Sequence, residues 1–223
     1  MRKWACVLTP SLLVVLYWTI FIYAAGTTYY VGKSGSDANS CATAQSSTAG
    51  NRKLTINAGI GCLASGDRLV IGAGTYTEAN TLYETTVSVA DGFAGSPTII
   101  EGEGYAAWCA WTETCPVVIQ RASGSSSNLE SPVYITLRGM IIDDSTKAAS
   151  GSDNCFRLGG TGDHVVLEDM VFRYCSDNGV FETSTNSFLT MRRINAHHAG
   201  QNPSQPAHGG YLQGDDTWVE DSL

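Results

Sequence analysis

Asp143, Arg173 and His197 each follow a run of alternating apolar and polar residues, and Asp144, Tyr174 and His198 take the next place in each case. An acid, a guanidinium and an imidazole on adjacent turns of a repeat can act together. In β-elimination from a uronate, a cation neutralises the carboxylate and so acidifies the neighbouring C–H, while a base removes the proton. Arg173 suits the first role and His197 or His198 the second. His208, after the polar insertion Gly200 to Ala207, can close such a site. A solvated charge ladder contains the same residue types, and a His before Gly-Gly ordinarily turns a corner, so catalysis and plain surface charge both stay open.

A second set has the chemistry of sugar recognition. Arg157, Phe181 and Tyr211 occupy one outward position of three aligned runs. Aromatic rings pack on the apolar faces of sugars and Arg pairs with uronate carboxylates. The alternative is that Phe181 and Tyr211 simply pack beneath a loop. Hydrolysis would instead need two carboxylates about 5 to 9.5 Å apart. Asp215 and Asp216, with Asp177 expected one turn away, are the candidates, although Asp-rich turns are ordinarily only turns.

The elements that must position these residues are repeats. Ile135-Thr-Leu-Arg-Gly-Met-Ile-Ile142, Val165-Val-Leu-Glu-Asp-Met-Val-Phe172 and Leu189-Thr-Met-Arg-Arg-Ile-Asn-Ala196 align without gaps, and Thr217 to Leu223 begins a fourth. Asn154 to Leu158, Asn178 to Glu182 and His208 to Leu212 form a second aligned set. The runs are short, alternating, and bounded by Gly, Asn, Asp or Ser, which is the signature of strands. The runs start 30, 24 and 28 residues apart, a period that marks a solenoid. Stacking places Arg138, Glu168, Arg192 and Glu220 on one outward ladder whose sign alternates at every step, as neighbouring rungs favour. Ile135 and Leu137, Val165 and Leu167, and Leu189 and Met191 face inward as a continuous apolar stack. Asn154 and Asn178 are expected to hydrogen-bond along the stack. Glu182 breaks the pattern, because its partners Leu158 and Leu212 point inward; either a bulge turns it out or it makes an unusual buried contact, and the bulge is expected.

Earlier in the chain, Thr28 to Val31, Arg68 to Ile71, Thr86 to Val89, Pro97 to Ile100 and Pro116 to Ile119 read as less regular strands. Lys53 to Leu63 places Ile56, Ile60 and Leu63 on one helical face, weakened by Gly59 and Gly61, and suits a cap over the open end of the first coil.

Arg2 and Lys3 precede an apolar run from Trp4 to Ala25 that ends in Ala24-Ala25-Gly26, the pattern of a signal peptide over residues 1–26, with an uncleaved anchor as the alternative. Residues 27–223 then form one domain. Cys6 lies in the signal, leaving Cys41, Cys62, Cys109, Cys115, Cys155 and Cys175 for an oxidising compartment. Six cysteines permit many pairings. The sequential set, 41 with 62, 109 with 115 and 155 with 175, is expected because neighbouring coils bring near-sequence residues together. No Cys-x-x-Cys pair is present, so zinc is not expected. A net charge of -8 repels the phosphates of nucleic acid and argues against it as a partner.

Thr28-Tyr-Tyr-Val-Gly-Lys-Ser-Gly-Ser-Asp37, Ser65-Gly-Asp-Arg-Leu-Val-Ile-Gly-Ala-Gly-Thr-Tyr-Thr-Glu78 and Gly92-Phe-Ala-Gly-Ser-Pro-Thr-Ile-Ile-Glu-Gly102 resemble the opening of secreted right-handed β-helix proteins of the pectate-lyase-like superfamily. The resemblance runs from Thr28 to the last residue. It implies carbohydrate as the partner, without naming the reaction. Lyases of that group commonly use calcium held by carboxylates. Asp153, Asp163, Asp177, Asp215 and Asp216 are available, but no ligand loop of recognisable spacing appears and no metal site is assigned. The expected fold is therefore all-β, a right-handed parallel β-helix with a short N-terminal capping helix. Leu223 falls inside a repeat, so further coils are expected beyond it. The expected function is that of a secreted or cell-surface monomer, free of the membrane after signal cleavage, that acts on or binds an acidic polysaccharide as a lyase does. The alternative is a non-catalytic adhesive solenoid for glycans or proteins.

Overall fold

A computed structural model of the chain describes residues 26–78, 82, 87–120, 127–146, 153–202 and 207–222. The segment read as a signal peptide lies outside them apart from Gly26. In chain order the strands are β1 Thr28–Val31, β2 Arg68–Ile71, β3 Gly74–Tyr76, β4 Thr98–Gly102, β5 Val117–Gln120, β6 Ser127–Glu130 and β7 Val133–Asp143. They continue with β8 Phe156–Gly159, β9 Asp163–Arg173, β10 Val180–Glu182, β11 Ser187–Arg192, β12 Asn195–His197, β13 Gly210–Tyr211 and β14 Trp218–Glu220. Two short helices, α1 Ile56–Ile60 and α2 Cys109–Thr112, complete the elements used below.

The class is all-β, and the strands pair in parallel, an arrangement consistent with a β-helix-like fold. One sheet runs β1-β2-β4-β7-β9-β11-β14, and its long strands β7 and β9 also pair with β5 and β12 along their second halves. The other runs β6-β8-β10-β13. Register follows the sequence alignment: Ile135 pairs with Val165 and Val165 with Leu189, and Phe181 pairs with both Arg157 and Tyr211. Inward side chains stack into buried columns, among them Ile100, Leu137, Leu167 and Met191. No single strand buries such a face alone, so strands paired in the sheet hold each other in place. The outward ladder alternates as expected. Arg138 Nη1 lies 3.9 Å from Glu168, Glu168 lies 3.6 Å from Arg192 Nη1, and Arg192 pairs with Glu220. Glu101 extends it, bonded to Arg138 at 2.5 Å and to Arg68.

Between the two halves of each rung the chain bends at one residue of positive φ: Gly139, Asp169, Arg193 and Asp221 recur in register with φ of 70°, 51°, 53° and 47°. Only Gly139 occupies that region freely, while each of the others costs about 1 kcal/mol or more.

The helix expected over Lys53 to Leu63 is confined to Ile56–Ile60. It starts at Thr55, whose side chain accepts from Ala58 N, and Glu78 accepts from Ile56 N and Asn57 N. Gly59 is an asset here, since a Cβ would fall 2.4 Å from Val31 Cγ2, so the helix lies directly on β1 and β2. Val87 to Val89, expected in a strand, are not in one. The three disulfides join Cys41 to Cys62, Cys109 to Cys115 and Cys155 to Cys175.

Glu182 is a correction. It lies in unbroken register with Leu158, is 0 % exposed, and points inward with no bulge. The segment after β13 supplies what the alternation of β10 cannot show: Glu182 Oε2 accepts from Gly214 N at 3.3 Å and from Thr217 Oγ1 at 2.8 Å, while Oε1 has no hydrogen-bond partner. Burial pushes its pKa above the ordinary 4.5, and the two hydrogen bonds only partly oppose this. The folded chain therefore keeps a proton that the unfolded chain releases near pH 4.5, so folding loses stability as pH rises through the raised value. Glu182→Gln has no such proton to lose. Its stability relative to the parent is expected to improve between pH 4 and pH 8, and thermal melts at the two values check this. An equal difference at both would contradict it.

Candidate functional site

Parallel register brings Asp143, Arg173 and His197 side by side, because Asp143 and His197 each pair directly with Arg173. Arg173 Nε and Nη2 donate to Asp143 Oδ2 at 2.9 and 2.7 Å, and its Nη1 is bonded to Glu113. The other Glu113 oxygen lies 3.1 Å from His197 Nε2, at ion-pair distance but off the line of a hydrogen bond. His197 Nδ1 lies 2.5 Å from His198 Nδ1, and Tyr174 stacks on the His198 ring with centroids 4.9 Å apart.

Asp143 is buried, which alone would raise its pKa. Hydrogen bonds from Ser145 and the Arg173 guanidinium outweigh burial and hold it below the usual carboxylate range. Arg173 is held charged above its ordinary value, the two carboxylates overcoming its own desolvation. Both faces of the guanidinium fork are thus engaged inside the protein. A uronate reaching Arg173 would share the guanidinium with these two carboxylates.

Glu113 was not legible as a site residue. It stands 60 residues from Arg173 and arrives on the loop that Cys109 and Cys115 close. That small ring was the signal in the sequence: it must stand out from the rungs and reach over a neighbour.

His208 meets the second set of residues. Its ring stacks on Tyr211 with centroids 5.6 Å apart, and its backbone N donates to Asn178 Oδ1, which continues the ladder from Asn154. It therefore belongs to the second set, on the outer face of the four-stranded sheet. There Phe181 and Tyr211 are stacked, centroids 5.7 Å apart and planes within 5°. Tyr211 is 40 % exposed, and Arg157, on the next rung, pairs with Glu130. Parallel rings in contact lie about 3.5–4 Å apart. Centroids at 5.7 Å therefore mean rings slid past one another, with part of each face left open.

The carboxylates considered for hydrolysis or calcium divide between the two ends of this sheet's strands. Asp153 and Asp177 precede the strands of this sheet, whereas Asp163, Asp215 and Asp216 follow them. Among the described residues no group of three or more His, Cys, Asp or Glu is placed to hold a metal ion.

No family model matches the chain, and no curated protein matches it. One solved structure is similar, a rhamnogalacturonan lyase, with a TM-score of 0.47 and 14% identity. The similarity covers 86% of this chain, which spans 62% of that structure's length. A likeness at this level carries no activity across.

Proposed function

We propose that this chain forms a secreted right-handed parallel β-helix, capped at its N-terminal end by α1, that binds polysaccharide on the outer face of its four-stranded sheet. The observation that carries this is the in-register stack of Phe181 and Tyr211, extended by His208 and bordered by Arg157. Offset rings one rung apart offer apolar faces to the C–H faces of pyranose rings. Arg157, His208 and Gln213, whose Nε2 donates to the Tyr211 hydroxyl at 3.3 Å, supply polar contacts at the edges. Three disulfides support an oxidising, extracellular setting. No helix among the described residues is long and apolar enough to cross a membrane. The protein acts as a monomer in this account.

One observation favours a catalytic reading beside the binding one. His197 is held between a carboxylate and a second imidazole, an arrangement suited to accepting and passing a proton. In elimination at this site Arg173 would neutralise the uronate, in competition with Asp143 and Glu113, and His197 or His198 would take the proton.

Titration calorimetry of the full-length protein against pectate, alginate, chondroitin and neutral polysaccharides tests the binding function. Tyr211→Ala is expected to weaken the bound polysaccharide about threefold to tenfold. Following ultraviolet absorbance for new double bonds, with and without added calcium, tests lyase activity in the same samples. Binding without new double bonds supports the non-catalytic form of the proposal, and no binding to any of them overturns it.

A further inference from the structure

The loop closed by Cys109 and Cys115 is fixed at several points. Ala110 and the two cysteines pack on Ile141 and Val171, forming an apolar cluster separate from the main core. Trp108 N donates to Asp169 Oδ1 at 2.6 Å, Asn195 Nδ2 donates to the Ala110 carbonyl at 3.1 Å, and Trp111 Nε1 donates to the Asp221 carbonyl at 3.2 Å. Despite this anchoring, Trp108 and Trp111 remain 47 % and 42 % exposed. Their rings meet edge to face, centroids 5.8 Å apart and planes at 69°, and form an open corner, with the Arg193 guanidinium 5.4 Å from the Trp108 ring. Two large indoles left nearly half exposed on an anchored loop cost solvation, which is how recognition surfaces are built.

We propose that this corner is a second carbohydrate subsite, separate from the Phe181 and Tyr211 face, and that it takes an uncharged pyranose ring. The inference rests on the polysaccharide reading above and narrows the class of sugar. An indole offers the broadest apolar platform of any side chain to a sugar's C–H face. The same loop carries hydroxyls and a carboxylate for the sugar's hydroxyl groups: Thr112 and Thr114, whose Oγ1 atoms lie 2.8 Å apart, and Glu113.

Charge selects against uronates. Arg193 is paired with Asp169 and Glu168, Arg173 with Asp143 and Glu113, and Arg192 with Glu168 and Glu220. Carboxylates around the loop outnumber guanidinium groups, and every one of these arginines is already engaged. A polyuronate approaching the corner meets net negative charge, whereas an uncharged sugar meets hydrogen-bonding groups without that repulsion.

The test uses the full-length protein, with gluco-, manno-, xylo- and galacto-oligosaccharides and an oligogalacturonate as probes. Calorimetric affinities are compared for the parent, Trp108→Ala/Trp111→Ala and Tyr211→Ala. At least one neutral oligosaccharide is expected to bind, and the double substitution to weaken it tenfold or more while oligogalacturonate affinity stays the same. Protection of Trp108 and Trp111 from oxidation by N-bromosuccinimide, mapped by mass spectrometry on the unsubstituted protein, gives the same answer if the variant misfolds. Neutral binding that neither depends on nor protects the indoles overturns the inference, as does uronate binding that depends on them. Binding lost only in Tyr211→Ala leaves the polysaccharide proposal standing and removes this one. No carbohydrate binding of any kind removes both.

Discussion

Asp169→Ala is expected to destabilise the fold by about 3–5 kcal/mol, read as a shift in a denaturant midpoint. Asp169 is 0 % exposed and sits at a corner of positive φ. Its Oδ1 accepts from Trp108 N and from Arg193 Nε at 3.0 Å, and its Oδ2 accepts from Arg193 Nη2 at 2.8 Å. Removing the carboxylate leaves the Trp108 N–H without this acceptor and Arg193 with Glu168 as its remaining carboxylate partner. It also places Ala in a backbone region that costs about 1 kcal/mol or more. Asp169→Asn keeps an acceptor and tolerates the corner, so roughly half of the loss is expected from it. Equal losses for the two substitutions would mean that charge, rather than hydrogen bonding and backbone conformation, dominates. The Cys109–Cys115 loop should loosen with Asp169→Ala, and Glu113 with it. Faster amide exchange over residues 108–115 would report that release.

The second large effect is expected at the centre of the core. Phe172 is fully buried and tilts against Phe156 of the other sheet, centroids 6.0 Å apart. Its register partners are Ile142 on one side and Ala196 on the other. Phe172→Ala opens a cavity next to a position that is already small, so the walls have little with which to refill it. A loss of about 3–5 kcal/mol follows. Phe172→Leu, which keeps most of the volume, should lose well under half of that. Because Phe172 directly precedes Arg173, the cavity variant should also disturb the Arg173 pairing with Asp143 and Glu113. A chemical-shift change at His197 larger than that at His208, by NMR, would show that the disturbance stays on its own side of the coil.

The register of the rungs was readable because three runs align without gaps and their outward charges alternate. Those two signals are independent, and contacts such as Arg138 with Glu168 carry both. Short polar strands were not readable. Ser127–Glu130 carries a single large apolar side chain, Leu129, and Gly74–Tyr76 is three residues long, so neither offers enough alternation to stand out. Glu182 misled because local polarity says nothing about donors such as Thr217 that arrive from the next coil. The corners show the same gap between local and tertiary information. Glycine marks Gly139, but the equivalent Asp169 and Arg193 are forced into positive φ by the stack around them. In the candidate site, the Asp143, Arg173 and His197 grouping followed from register, and Phe181 with Tyr211 likewise. Glu113 depended on where a disulfide ring folds back, and His208 on which way an insertion closes, and neither has a periodic signature.

Both candidate sites depend on adjacent strands lying in parallel with equivalent residues paired. Thr136 and Val166 are such a pair, outward on β7 and β9. A cysteine introduced at each should lie about 5 Å from the other across the ladder, within the span of a disulfide. Thr136→Cys/Val166→Cys is therefore expected to oxidise to one intramolecular bond, identified by mass spectrometry, with the native disulfides intact. Thr136→Cys/Glu168→Cys, two residues out of register, should stay reduced under the same conditions. Cross-linking of the offset pair in preference to the paired one would contradict the stacking on which both candidate sites are built.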